Sequence, residues 1–185
     1  GTIETPFSAP RYKANSFPKG VSIVAMFPGL KKCAIAPSGT EPCWELADPA
    51  MTDIPDYFLQ YNRDLTGTLK LGAAVKTIGE EAFRGTKLTG LDLSEAASLE
   101  SIGDYAFRYT DITGTLVIPA NVETIGHDAF QSTKLTGLDL SQAASLVSIG
   151  YRAFRYTDIT GTLVIPANVE TIGDKAFYKT KLTGL

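Results

Sequence analysis

The sequence predicts an α/β repeat solenoid, a coil with a parallel sheet on one face and short helical turns or loops on the other. Three observations point there. The run AFRYTDITGTLVIPANVETIG occupies residues 106–126 and recurs unchanged at 153–173, 47 positions later. The pattern Ile-Gly-x-x-Ala-Phe appears as IGEEAF, IGDYAF, IGHDAF, IGYRAF and IGDKAF, with phenylalanines at 83, 107, 130, 154 and 177. Those positions are 24, 23, 24 and 23 residues apart, and a short aliphatic run recurs with the same step. A fixed period in the low twenties is the mark of stacked coils, each unable to bury its apolar edge alone.

Within a coil the strand comes first. Leu69-Lys70-Leu71, Leu91-Asp92-Leu93, Leu116-Val117-Ile118, Leu138-Asp139-Leu140 and Leu163-Val164-Ile165 place aliphatics on one side and the middle residue on the other. Gly72, Ser94, Pro119, Ser141 and Pro166 end these runs, so the strands are short. One further apolar side chain follows (Val75, Leu99, Val122, Leu146, Val169), and then the Ile-Gly corner, whose glycine suits a positive φ. The stretch through Ala-Phe is long enough only for one or two helical turns or a wide loop. Its alanine is small so that the back segment can approach the sheet. Coils stacked about 4.8 Å apart would set Ile on Ile and Phe on Phe. A worn copy, IPDYFLQY from Ile54, precedes the five clear ones.

The first fifty residues differ in kind. They hold seven of the ten prolines, both cysteines and the sole tryptophan, Trp44. Residues 1–50 are expected to cap the array of residues 51–185, with the tail of a preceding domain as the alternative. A hairpin is expected between VSIVAMF from Val21 and CAIA from Cys33. Cys33 and Cys43 lack the CxxC spacing of a metal or redox site, which leaves a local disulfide or two free thiols.

Net charge of -3 weighs against a nucleic-acid groove. No apolar run reaches the length of a membrane span. The chain opens at Gly1 without methionine, as a processed product would, so a signal or anchor segment is expected to be missing from it. It stops at KLTGL, within a strand, which suggests that the natural chain continues or that end-to-end self-association covers an open last coil.

The run ITGTLVIPANVETIGHDAFQSTKL, residues 112–135, closely resembles the BspA-like, or Treponema-pallidum-type, leucine-rich repeat. The resemblance spans residues 54–185. It implies a right-handed leucine-rich-repeat coil and bacterial cell-surface or secreted proteins that bind host proteins or adhere. It brings no catalytic residues and no cofactor. The chain departs from the pattern in placing Thr86, Thr110, Thr133, Thr157 and Thr180 where the family often has cysteine. A buried hydroxyl column bonding the turn backbone from coil to coil is the expected role.

Candidate chemistry is sparse. His127, the single histidine, aligns with Glu80, Asp104, Tyr151 and Asp174, so a solvent-facing position is expected. Asp92 and Asp139 should project from the sheet face, a whole coil between them, too far apart for a carboxylate pair. Small neighbours (Gly90, Thr115, Gly137, Thr162) predict a flat face without a pocket. The back is richer. Arg108, Tyr109, Arg155 and Tyr156 follow the buried Phe in alternate coils, Tyr61 matches them in the worn copy, and Tyr105, Tyr151, Arg152 and Tyr178 lie close in register. Such a Tyr/Arg ridge suits a protein or glycan partner. Copying of a 47-residue block would produce the same periodicity with no binding role. The expectation is a non-enzymatic surface or secreted binding module without metal or cofactor. The alternative is a structural spacer, or an accessory array within a longer surface protein or enzyme.

Overall fold

The computed structural model describes residues 29–33 and 42–185. Six coils stack along one axis, counted by a six-stranded parallel sheet of two-residue strands: β3 (Asp53–Ile54), β5 (Thr77–Ile78), β7 (Ser101–Ile102), β9 (Thr124–Ile125), β11 (Ser148–Ile149) and β13 (Thr171–Ile172). In register, Ile54 pairs with Ile78, then Ile102, Ile125, Ile149 and Ile172. The front face carries longer strands: β2 (Cys43–Leu46), β4 (Thr66–Leu71), β6 (Lys87–Asp92), β8 (Thr113–Val117), β10 (Lys134–Asp139), β12 (Thr160–Thr162) and β14 (Lys181–Gly184). The run Leu163-Val164-Ile165 lies beyond β12. Leu163 keeps one ladder bond, to the Gly184 carbonyl, and Val164 is 78% exposed.

The front ladder is not continuous. Strand order is β1-β2-β4-β6, then β8-β10, then β12-β14, with β1 (Leu30–Lys32) antiparallel at the outer end. TGTL strands pair with the following TGL strands through bulges at Gly67/Thr68, Leu135/Gly137 and Gly161/Thr162. TGL strands do not pair with the TGTL strands that follow. Two seams therefore open, at β6/β8 and at β10/β12.

The expected hairpin lies mostly outside the described residues. Cys43–Leu46, in the segment expected to cap the array, already belongs to the front sheet, with Trp44 opposite Leu69 and Leu46 opposite Leu71. Cys33 and Cys43 are joined in a disulfide, with Cα atoms 5.3 Å apart.

Phe83, Phe107, Phe130 and Phe154 are fully buried and stack face to face with Phe177, at centroid spacings of 5.3, 5.3, 5.4 and 5.6 Å. In the worn coil Leu59 takes the Phe position, and Phe58 meets Phe83 edge-on at 6.1 Å. Ala82, Ala106, Ala129 and Ala153 beside the column are wholly buried.

The expected helical turns are absent; the described residues contain no helix, and the fold is all-β rather than α/β. The back of each coil is a chain of tight turns. Ala106 N–H bonds to Gly103, Arg108 to Tyr105 and Thr110 to Phe107, each across three residues. The intervening N–H groups point along the stack: Tyr105 to His127, Phe107 to Ala129 and Tyr109 to Gln131. A helix would turn every N–H back into its own coil. Here half of them hold the neighbouring coil instead.

Two further expectations are corrected. The Ile-Gly glycines do not adopt positive φ. They are needed because the previous coil passes too close for a side chain: a Cβ at Gly126 would lie 2.6 Å from the Asp104 nitrogen, and one at Gly150 2.5 Å from the Gly126 carbonyl carbon. Positive φ falls instead on Tyr57, Tyr61, Glu81, Tyr105, Tyr109, Asp128, Ser132, Arg152, Tyr156, Lys175 and Lys179, alongside Gly85 in the same turn position. The threonine hydroxyls bond within their own coil, not between coils. Thr86, Thr110, Thr157 and Thr180 each donate to the Phe carbonyl three residues earlier at 2.9 Å, while Thr133 Oγ1 has no partner.

Phe130→Ala should cost roughly 3–5 kcal/mol, because the vacated slot lies between two fixed rings. Gly150→Ala should destabilise as well. Lys179→Gly should stabilise by about 0.5–1 kcal/mol by relieving left-handed strain at an exposed position. Urea unfolding followed by circular dichroism checks all three.

Candidate functional site: the tyrosine–arginine ridge

The turn geometry decides which side chains reach solvent. Ala and Phe of each coil face the core; the residues around them face out, except Asp128 and Gln131. Most positive-φ positions carry large polar or aromatic side chains, and their main-chain N–H groups bond the next coil, as Tyr61 does to Arg84 and Tyr156 to Tyr178. Between the first and last coils the ridge thus stands on backbone held on both sides.

Its members fall into two clusters. In the first, Arg84 lies over Tyr61 at 5.3 Å and faces Tyr105 and Tyr109 at 5.9 Å. Arg108 stacks on Tyr105 at 5.3 Å and Tyr109 at 4.6 Å, and donates to the Tyr109 hydroxyl at 2.9 Å. In the second, Arg152 lies 4.4 Å from the Tyr151 ring, and Arg155 sits 4.4 Å over Tyr156 and 5.6 Å from Tyr178. Arg155 also donates to the Tyr156 hydroxyl at 3.0 Å. Tyr156 and Tyr178 meet edge to face at 6.2 Å. Guanidinium–aromatic contacts of this kind contribute about 0.5–1 kcal/mol each at exposed sites and fix both partners.

The coil between the clusters, His127 to Ser132, has neither Tyr nor Arg in the ridge positions. Asp128 and Gln131 lie buried there, and neither Asp128 Oδ1 nor Gln131 Oε1 has a hydrogen-bond partner. Burial pushes the Asp128 carboxyl above the usual range, opposed by Arg108, Arg152 and Arg155. His127 is exposed, and its Nδ1 accepts the Tyr151 N–H at 2.9 Å. Asp104 does the same for the His127 N–H, so this position staples consecutive coils.

All nine tyrosines and arginines expected on the ridge lie on this face. Tyr109, Tyr156 and Tyr178 are the most open, at 47%, 44% and 45% exposure. Sequence reasoning missed Arg84, which ties the first cluster together and pairs with Glu81 at 2.8 Å. Its place directly after Phe83, matching Arg108 after Phe107, was the available signal. Nothing in the sequence marks Asp128 as buried, because its counterparts are Glu81, Tyr105, Arg152 and Lys175.

The front face departs from the flat surface expected. At each seam a cleft opens, one of about 480 Å³ beside Asp92 and one of about 560 Å³ beside Asp139. Lys87 and Lys134 both pair with Asp111, at 3.1 and 2.8 Å, so the first seam is spanned by side chains. Among the described residues no three His, Cys, Asp or Glu side chains converge as metal ligands, and no helix is long and apolar enough to cross a membrane.

The family model for the BspA type leucine rich repeat region matches residues 52–183 in six copies. The chain belongs to that family. Among solved structures it is similar to the pneumococcal vaccine antigen PcpA, with a TM-score of 0.61 and 21% identity. The match covers 83% of this chain and 47% of that one, so this BspA-type array spans about half the length of its structural relative. At that identity the likeness establishes the fold alone. No curated protein matches the chain.

Two carboxylates should respond to pH with opposite sign. Hydrogen bonds from Lys134 and Lys87 hold Asp111 below its ordinary value, so its contribution is present above about pH 3.8 and is lost as pH falls through its lower folded value. Asp111→Asn should therefore destabilise at pH 7, the gap closing below pH 3.8. Asp128 is raised by burial, so its contribution is full below its unfolded value and is lost as pH rises through the folded one. Asp128→Asn should match the parent at low pH, where the neutral carboxyl resembles the amide, and become the more stable of the two as pH rises through the folded value. Thermal melts from pH 2.5 to 7 check both.

Proposed function

We propose that this chain is a non-enzymatic, cell-surface or secreted module that holds a protein partner through the tyrosine–arginine ridge. The observation that carries this reading is the ordering of the ridge. Each exposed tyrosine is stacked by an arginine or another tyrosine on backbone tied to a neighbouring coil. Side chains already fixed lose little entropy on binding, and Tyr and Arg are the types that dominate binding energy at interfaces. Membership of the BspA-type family supports protein binding. The likeness to a pneumococcal vaccine antigen supports an extracytoplasmic location.

The mechanism is multivalent contact along a face, with Tyr109, Tyr156 and Tyr178 as apolar anchors and Arg108 and Arg155 as polar guides. A structural spacer is the second reading, favoured by the fact that half of the ridge was copied with a 47-residue block. Asparagine tolerates left-handed backbone, so Tyr109→Asn with Tyr156→Asn removes the anchors without adding strain. Surface plasmon resonance against immobilised extracellular-matrix proteins should show binding by the parent that falls at least tenfold in the double variant, with melting temperature unchanged. Equal binding by both proteins would favour the spacer.

A further inference from the structure

The two clefts on the front face take no part in the ridge and invite a separate reading. They are one design repeated. Leu91, Asp92, Ala97, Val117 and Pro119 in the first are Leu138, Asp139, Ala144, Val164 and Pro166 in the second, 47 residues on. Both lie where the parallel ladder is interrupted, and free volume extends beside them. A Cβ on Gly114 or Gly161 would meet nothing within 4 Å, whereas on Gly67, in the paired part of the sheet, it would collide with the Pro42 carbonyl.

The lining states what fits. Leucine, alanine, valine and proline form most of the walls, with Ser94, Thr115 and Gln142 or Ser141, Thr162 and Asn168 beside them and no aromatic ring, which suits an aliphatic side chain better than a base. Each cleft holds one carboxylate and no lysine or arginine. Oδ1 of Asp92 and Asp139 accepts the N–H of Ser94 and Ser141 at 2.9 and 2.8 Å, which keeps each carboxylate at the cleft. Hydrogen bonding from Ser141 also holds Asp139 below the usual range, so it stays charged at neutral pH. Asp139 lies opposite Val117, and Asp92 lies opposite Lys70, which is itself bonded to Glu95, so each cleft keeps a net negative rim that selects cations and rejects fatty acids and phosphates.

Spacing adds the last constraint. The clefts are two coils apart, about 10 Å by strand separation. A polyproline II segment presents every third residue on one side, about 9.3 Å apart. We propose that the paired clefts are a tandem docking site for an extended, polyproline-like segment of a partner protein, with an aliphatic residue at every third position and a lysine or arginine beside it. One aliphatic side chain enters each cleft, and the neighbouring cations meet Asp92 and Asp139. The site is independent of the tyrosine–arginine ridge.

The test is fluorescence anisotropy of fluorescein-labelled (Leu-Pro-Lys)4 titrated with the full 185-residue chain. Saturable binding is expected, weakened about tenfold by Asp92→Asn with Asp139→Asn and abolished by Ala97→Phe with Ala144→Phe, which fill the clefts. Tyr109→Asn with Tyr156→Asn should leave it unchanged, so failure of the ridge reading and failure of this one are distinguishable. Absence of saturable binding overturns the proposal. So does equal binding of (Ser-Pro-Lys)4 or (Leu-Pro-Glu)4, which test charge and apolar content separately. Should the phenylalanine variant fail to fold, the aspartate pair and the two control peptides still decide.

Discussion

Every feature of this molecule depends on coil-to-coil registry at a spacing of one strand. Face-to-face phenylalanines, an isoleucine ladder and a row of main-chain bonds along the turn face all require equivalent residues to lie over one another. A burial of roughly 1.5–3 kcal/mol per Phe or Ile is available only when the next coil supplies the other wall. Close approach then sets its own conditions. The Ile-Gly glycines are there because backbone of one coil runs where a side chain of the next would be.

The same registry explains why tyrosine, arginine and glutamate accept left-handed backbone in a protein with glycine at hand. Each such residue costs of order 1–3 kcal/mol in isolation. Its N–H, however, is turned along the stack to the carbonyl of the next coil, as with Tyr105 and His127 or Arg152 and Asp174. Leaving that buried group unbonded would cost about 1–3 kcal/mol by itself. Strain and hydrogen bond offset one another, and the outward side chains become free to differ from coil to coil. That freedom lets an aromatic, cationic surface be laid on an invariant frame.

Alternation of TGTL and TGL strands breaks the six-fold monotony. Within each pair the TGL strand carries the extra residue of the bulge, Thr89 or Thr136, and beyond that strand the ladder is interrupted. The effective unit is therefore two coils, which matches the 47-residue repeat. Seams and clefts recur with that double step, and so do Tyr109 and Tyr156.

Much of this was legible in the chain. Recurrence of Ile-Gly-x-x-Ala-Phe determined the number of coils, the phenylalanine and isoleucine columns and the faces on which Asp92 and the tyrosines lie, because identical stretches in a stack must occupy equivalent places. Local sequence could not reveal what depends on the neighbouring coil. The turns replaced helices because half of the N–H groups bond outwards. Glycine at 126 serves proximity and not a dihedral angle. Asp128 is buried near Arg108, Arg152 and Arg155 of the adjacent coils, and the seams open where hydrogen bonds form on one side of a strand and not the other. Repetition is a one-dimensional property and the chain displays it; contact between successive copies is not, and only the folded stack decides it.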